Sequence, residues 1–239
     1  MIAILLHLYY QDLWEEFKEK ILPILSDNVH LYVTVNEENE YTEDIKKFAK
    51  QIFIVKNKGT DFGPFVYVWE KIRKDNYEYV LKLHGKKSLS DNRSVYGYGN
   101  IWRKQLVNSI IANPEKFNTV LSYMRENPDI FMAGSLRWFN TRYTETENSR
   151  TYLEALDSIK RVCSYLKSDI HGCFFSGSMF LVKTEYLNLF FGDCDLNKLY
   201  EEFEEYYADD GSLFSHGFER VIGYAVETHG GKFLTLESE

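Results

Sequence analysis

Residues 84–88 read HGKKS and close a run, YVLKLH (79–84), that has the alternation of a strand. An imidazole, a glycine and two adjacent ammonium groups at a strand end are suited to one kind of chemistry, the neutralisation of an anionic ligand such as a phosphate. A lysine pair taken alone is more often simply solvated, so the rest of the chain has to decide. A second polar cluster is NKGTDFGP (57–64). Its Gly59 and Gly63 permit close backbone approach, and the helix expected after it supplies N–H groups and a positive dipole end. Asp61 there is either a capping residue of an ordinary loop or an acceptor for a base or ribose. Asn57 opens the same cluster, and Lys86 and Lys87 would meet phosphate charge. A third cluster, His7 to Tyr10, ends the first apolar run. Late in the chain, DDGSLFSHGFER (209–220) places His216, Glu219 and Arg220 on one helix face at roughly 100° per residue. Asp210 sits where a helix N-terminus holds a carboxylate ionised, a form able to act as a general base. The plain alternative for that stretch is a capped, solvated helix.

The elements that must position these groups alternate through the first half. IAILLHLYY (2–10), VHLYVTVN (29–36), IFIVKN (52–57) and YVLKLH (79–84) are expected strands. Between them, Asp12 to Glu15 is a capping-box pattern and Thr42 can cap a short helix. Phe65, Val68, Trp69 and Ile72 fall at i, i+3, i+4 and i+7 behind Pro64. This order implies a mostly parallel sheet with helices on both faces, whose ligands bind beyond the carboxyl ends of the strands. Three polar clusters at three such ends favour a nucleotide pocket more than any one does. Asn100 and Asn113-Pro114 start two further helices, and IFMAGS (130–135) is a strand. FNTRYTETENSR (139–150) reads as a mobile loop, 174–183 as a strand with a small-residue break, and 211–229 as a last helix. One α/β domain is the simplest organisation.

The chain of 239 residues is 44% hydrophobic and carries a net charge of −8. Residues 193–210 hold eight acids and one lysine, whereas 82–104 hold six basic residues and one acid. The overall acidity argues against nucleic-acid binding. No run of eighteen apolar residues is present, and the apolar start, without a basic region, is expected to be a buried strand and not a signal peptide. Three cysteines suit a reducing, cytoplasmic setting. Cys163, His171, Cys173 and Cys194 lack the paired spacing of common zinc sites.

The same polar segments carry a family resemblance. NKGTDFGPF (57–65), YVLKLHGKKS (79–88), WRKQL (102–106), SGSMFLVK (176–183) and DGSLFSHGFER (210–220) occur in the order found in the rhamnan synthesis protein F family of bacterial polysaccharide glycosyltransferases, which the chain resembles over about residues 1–225. Thr60 stands where the family commonly has Arg, and Gly85 where it often has Thr; both bear on the donor sugar more than on the reaction class. The resemblance implies a GT-A-like fold of Rossmann type. Its nucleotide-binding half would span about 1–90 and its acceptor-binding half about 91–239. It implies transfer of a sugar, often rhamnose, from a dTDP- or UDP-sugar to a cell-surface polysaccharide or lipid-linked glycan. That setting is compatible with a cytoplasmic enzyme bound peripherally at the inner face of the membrane, and with other glycosyltransferase modules beside it.

Many GT-A enzymes hold the diphosphate through a metal on an Asp-x-Asp after the fourth strand. HGKKS occupies that place here, so Lys86 and Lys87 are expected to do the metal's work. No cofactor is then required, with Mg or Mn the alternative. Asp193-Cys-Asp195 reads as a coincidental match. By the resemblance Asp210 is the base and Glu219 its substitute, while His7, Asn57, Gly59, Asp61, His84, Ser178, His216 and Arg220 bind substrate. A non-catalytic nucleotide- or glycan-binding module of the same fold is the competing expectation. A sugar-phosphate nucleotidyltransferase is a weaker one, since HLYYQD (7–12) has no glycine after the first strand.

Overall fold

The computed structural model describes residues 1–87, 99–208 and 211–238. The first half alternates as its apolar periodicity requires. Strand β1 (Ile2–His7) leads to α1 (Trp14–Ile21), β2 (Val29–Val35), α2 (Thr42–Lys46), β3 (Gln51–Ile54), α3 (Phe62–Ile72) and β4 (Tyr79–His84). The second half runs α4 (Gly99–Ile111), α5 (Pro114–Glu126), β5 (Ile130–Ser135), β6 (Phe139–Asn140), α6 (Arg150–Cys163), β7 (Phe174–Phe175), β8 (Phe180–Lys183), α7 (Thr184–Phe191), α8 (Leu196–Glu201), α9 (Phe214–Thr228) and β9 (Lys232–Leu236).

Seven strands form one sheet in the order β3-β2-β1-β4-β8-β5-β9. All neighbours pair in parallel except β8, which runs antiparallel to both β4 and β5. The fold is thus α/β with a mostly parallel sheet. Alternation along the central strands splits the core in two. Ala3, Leu5, Val80 and Val182 face α3, α6, α7, α8 and α9. Ile4, Leu6, Leu81 and Leu181 face α1, α2, α4 and α5. The apolar stripe of α9 is fully buried at Phe214, Phe218, Val221 and Ala225, and each of its Phe and Val side chains contributes about 1.5–3 kcal/mol.

Several local details depart from expectation. Asn113 does cap α5, accepting from the Lys116 N–H at 2.9 Å ahead of Pro114. Thr42 does not cap α2; it lies inside the helix, and its hydroxyl accepts from the Asn39 N–H at 2.9 Å. Asp12 falls within a short 3₁₀ turn ahead of α1 and makes no cap bond. The segment expected to be a mobile loop supplies β6, which pairs with β7, and then a buried Glu145. Strand β9 was not foreseen. Among the described residues no helix is long and apolar enough to cross a membrane.

Candidate functional site

Three parallel strands bring His7, Thr34 and His84 side by side at the carboxyl edge of the sheet, since His7 pairs in register with both of the others. His7 Nδ1 lies 2.9 Å from Thr34 Oγ1. Burial pushes the His7 imidazole down to about 3 and that of His84 down to about 4, in both cases against the pull of Asp61. Both rings are therefore neutral at physiological pH. His84 Nε2–H donates to the Gly177 carbonyl at 2.9 Å, which fixes its tautomer.

Asp61 occupies the N-cap position of α3 but makes no cap hydrogen bond. Its carboxylate turns instead to the ammonium of Lys82, a residue only 1% exposed in the middle of β4. The Thr60 hydroxyl donates to the other oxygen of the same carboxylate at 3.3 Å. Burial works against the Asp61 charge, yet His84 and Lys82 hold its carboxyl well below the usual range. Burial likewise pulls Lys82 below a lysine's ordinary range while Asp61 pushes back. Lys82 Nζ also donates to the Ser178 carbonyl at 2.8 Å and sits 4.2 Å from the centre of the Phe62 ring. Beside this group lies a cavity of about 10 Å³ bordered by His7, Thr34, Asp61 and Lys82, the size of a single water site.

The small-residue break between β7 and β8 is a strained turn. Gly177 has φ 88° and Ser178, which is not glycine, has φ 50°. A side chain at Gly177 would put its Cβ 2.6 Å from Leu106 and 2.8 Å from Trp102 Nε1, so glycine is required there twice over. The Gly177 N–H donates to Glu219 Oε1 at 2.7 Å. Because β8 runs antiparallel, this turn enters the sheet at the carboxyl edge of β4, next to His84 and Asp61.

The 57–63 loop closes on the protein itself. The N–H groups of Phe62 and Gly63 both bond the Gly59 carbonyl, at 3.0 and 3.1 Å. Gly59, at φ 68°, is covered by Phe203, whose ring would lie 2.4 Å from an added Cβ. Its N–H donates to the Glu204 carbonyl at 2.8 Å, and the buried Lys58 pairs with Glu201 at 2.6 Å. The acidic segment thus packs over the loop through named contacts. Asn57 lies exposed at the start of this loop.

After β4, Lys86 Nζ sits 3.5 Å from the centre of the Trp102 ring. The Lys86 carbonyl accepts from Arg103, a buried guanidinium that also bonds Glu16 at 2.7 and 3.0 Å. Lys87 pairs with Asp12 across the Tyr10 ring. On α9, His216 Nδ1 is buried with no hydrogen-bond partner among the described residues, as is Trp102 Nε1. Arg220 forms a bidentate pair with Glu145 at 2.7 and 3.0 Å and lies over the Phe174 ring. Asp210 and Ser88 lie outside the described residues. Asp195 caps α8, accepting from the N–H groups of Asn197 and Lys198. Among the described residues no three His, Cys, Asp or Glu side chains group as a metal site.

Two participants escaped the sequence reading. Lys82 had a legible signal, a lone cation inside a strand covered on both faces, where lysine is found only with a partner. Glu145 had none, because its partner is 75 residues away.

The sequence model of the family described as Rhamnan synthesis protein F matches residues 1–230. Among curated proteins, the uncharacterized protein WxcX of Xanthomonas campestris pv. campestris strain ATCC 33913 is 26% identical over 238 residues, 98% of this chain and 32% of the relative. WxcX of strain B100 is 25% identical with the same coverage. The chain thus spans about a third (32%) of the length of these curated relatives. Among solved structures, the mannosyltransferase Ktr4p from S. cerevisiae aligns over 97% of this chain and 68% of its own, at TM-score 0.48 and 12% identity. Core-mannan synthase A from Aspergillus fumigatus, in its Mn/GDP form, aligns over 97% and 70%, at TM-score 0.38 and 11% identity.

Proposed function

The chain belongs to the rhamnan synthesis protein F family, and on that premise we propose that it is a GT-A-like glycosyltransferase domain. It moves a sugar, rhamnose foremost, from a dTDP- or UDP-sugar to a polysaccharide or lipid-linked glycan, with inversion and without a metal. The observation that carries this reading is the constellation at the carboxyl edge of the sheet. Asp61, Lys82 and His84 converge there on the strained Gly177–Ser178 turn, and Glu219 closes the turn from α9. Strained backbone held by several side chains is characteristic of ligand sites, and the carboxyl edge is where open α/β sheets take ligands.

In the step itself, Asp210 takes the proton of the acceptor hydroxyl. The acceptor oxygen attacks C1 from the face opposite the diphosphate. The C1–O bond to the acceptor forms as the C1–O bond to phosphate breaks, and the departing electron pair rests on the diphosphate. Lys86 and Lys87 neutralise that charge, leaving their present partners, Trp102 for the one and Asp12 for the other. Glu219 already has an oxygen engaged by the Gly177 N–H, so it suits positioning better than proton removal. The relatives' greater length fits a domain that works beside other transferase modules, at the inner face of the membrane when the acceptor is lipid-linked.

Asp210→Asn is expected to lower the transfer turnover at least about 100-fold while nucleotide binding persists. Near-normal transfer by that variant removes Asp210 from the role. Nucleotide binding with no transfer or donor hydrolysis by the parent protein would favour a binding module.

A further inference from the structure

We propose that Lys82 is a positioning residue of this site, the joint that locks the 57–61 loop to the Gly177–Ser178 turn. The catalytic part of this inference rests on the function proposed above. A lysine 1% exposed in a central strand is an expensive choice, since desolvating one ammonium costs several kcal/mol even after relaxation. An apolar residue there would pack between Phe62, Phe65 and Phe180, whose rings already surround the Lys82 ammonium. What the apolar residue would lack is the ability to hold two oxygens from two distant segments. Lys82 Nζ bonds the Asp61 carboxylate on one side and the Ser178 carbonyl on the other.

The turn needs that hold. Ser178 at φ 50° is in the left-handed region, which costs a non-glycine residue about 1–2 kcal/mol. Three groups fix it: Glu219 on the Gly177 N–H, His84 on the Gly177 carbonyl and Lys82 on the Ser178 carbonyl. The third, Lys82, is paired with Asp61 of the 57–61 loop. Through the turn that pair reaches Glu219 and hence α9, which follows the segment carrying Asp210. Lys82 therefore joins the 57–61 loop, through the turn, to Glu219 on α9.

The test compares the parent protein with Lys82→Met, Asp61→Asn and the double variant, each well below its unfolding temperature. Should Lys82→Met leave an unpaired carboxylate too costly to fold, the Asp61→Asn background removes that charge. Hydrogen exchange at the Gly177, Ser178 and Met179 amides is expected to quicken when Lys82 is lost. The binding constant for nucleoside diphosphate stays near that of the matched background, and transfer kcat falls about 100-fold, the scale of a small misplacement. A loss in kcat with KM unchanged marks lost alignment and not lost binding. Unchanged exchange at the turn, or kcat per folded molecule equal to that of the matched background with only Tm lowered, would overturn the proposal. If the parent protein neither binds nor transfers, the functional reading fails, and the exchange data still decide whether Lys82 holds the turn.

Discussion

Two buried ion pairs lie on the same side of the sheet, and they are built differently. Arg220–Glu145 is a fork-to-fork pair whose side chains are 11% and 6% exposed. Its remaining valences meet Tyr224, the His216 carbonyl and the Phe174 face. It is complete in itself and fastens the 141–149 segment to α9. Lys82–Asp61 is a single-point pair whose lysine also bonds the backbone of a strained turn, beside a water-sized cavity and two neutral histidines. The guanidinium's fixed geometry suits a permanent lock, whereas the ammonium's freely placed donors suit a junction between segments. A sequence shows both merely as charges; only the surroundings tell a lock from a junction.

The comparison breaks first at Glu145. Glu145→Ala strands the Arg220 charge and should cost about 3–5 kcal/mol in urea unfolding. Nucleotide affinity should then track only the folded fraction. If affinity changes beyond that, Arg220 serves a ligand and the distinction between lock and junction is lost.

A second effect belongs to the junction. His7 and His84 ionise near 6.5 when unfolded but near 3 and 4 when folded. Below pH 6.5 the unfolded chain binds more protons than the native one, so stability is full above about 6.5 and declines as pH falls toward 4. At pH 5 each histidine should have removed about 2 kcal/mol. Asp61, held below its unfolded value, loses its contribution only at lower pH. Urea midpoints that stay flat between pH 7 and pH 5, or His84→Gln leaving the slope unchanged, would refute the assignment.

A smaller change tests whether the 57–61 loop is also held from outside. Gly59→Ala forces a Cβ into Phe203 at a positive φ and should cost about 1–3 kcal/mol. The smallest effect is at the surface. Lys87 and Asp12 are 36% and 48% exposed, so Asp12→Asn should alter stability by no more than about 1 kcal/mol. It should tighten nucleoside diphosphate binding modestly by releasing Lys87.

The alternating first half was legible because period-2 and period-3.6 patterns are local. The direction of β8 was not, since a four-residue strand carries no mark of its partners' polarity. Asp61 shows how one position supports two roles. It sits where a cap should, and only the lysine 21 residues on diverts it. Gly59 was expected to admit a ligand's close approach, and what lies against it is Phe203. The same pattern of residues serves ligand approach and internal packing equally well. The lysine pair after β4 was visible at once. Lys82, two residues before His84, was hidden by being counted among the surface charges.

Everything above turns on a diphosphate site at the carboxyl edge served by lysines. It is tested most directly by calorimetric titration with dTDP, UDP and GDP, first in EDTA and then with Mg²⁺ or Mn²⁺. Metal-independent binding of dTDP or UDP that is lost in Lys86→Ala/Lys87→Ala is the expected result. Binding only with metal, or binding untouched by those substitutions, would contradict it.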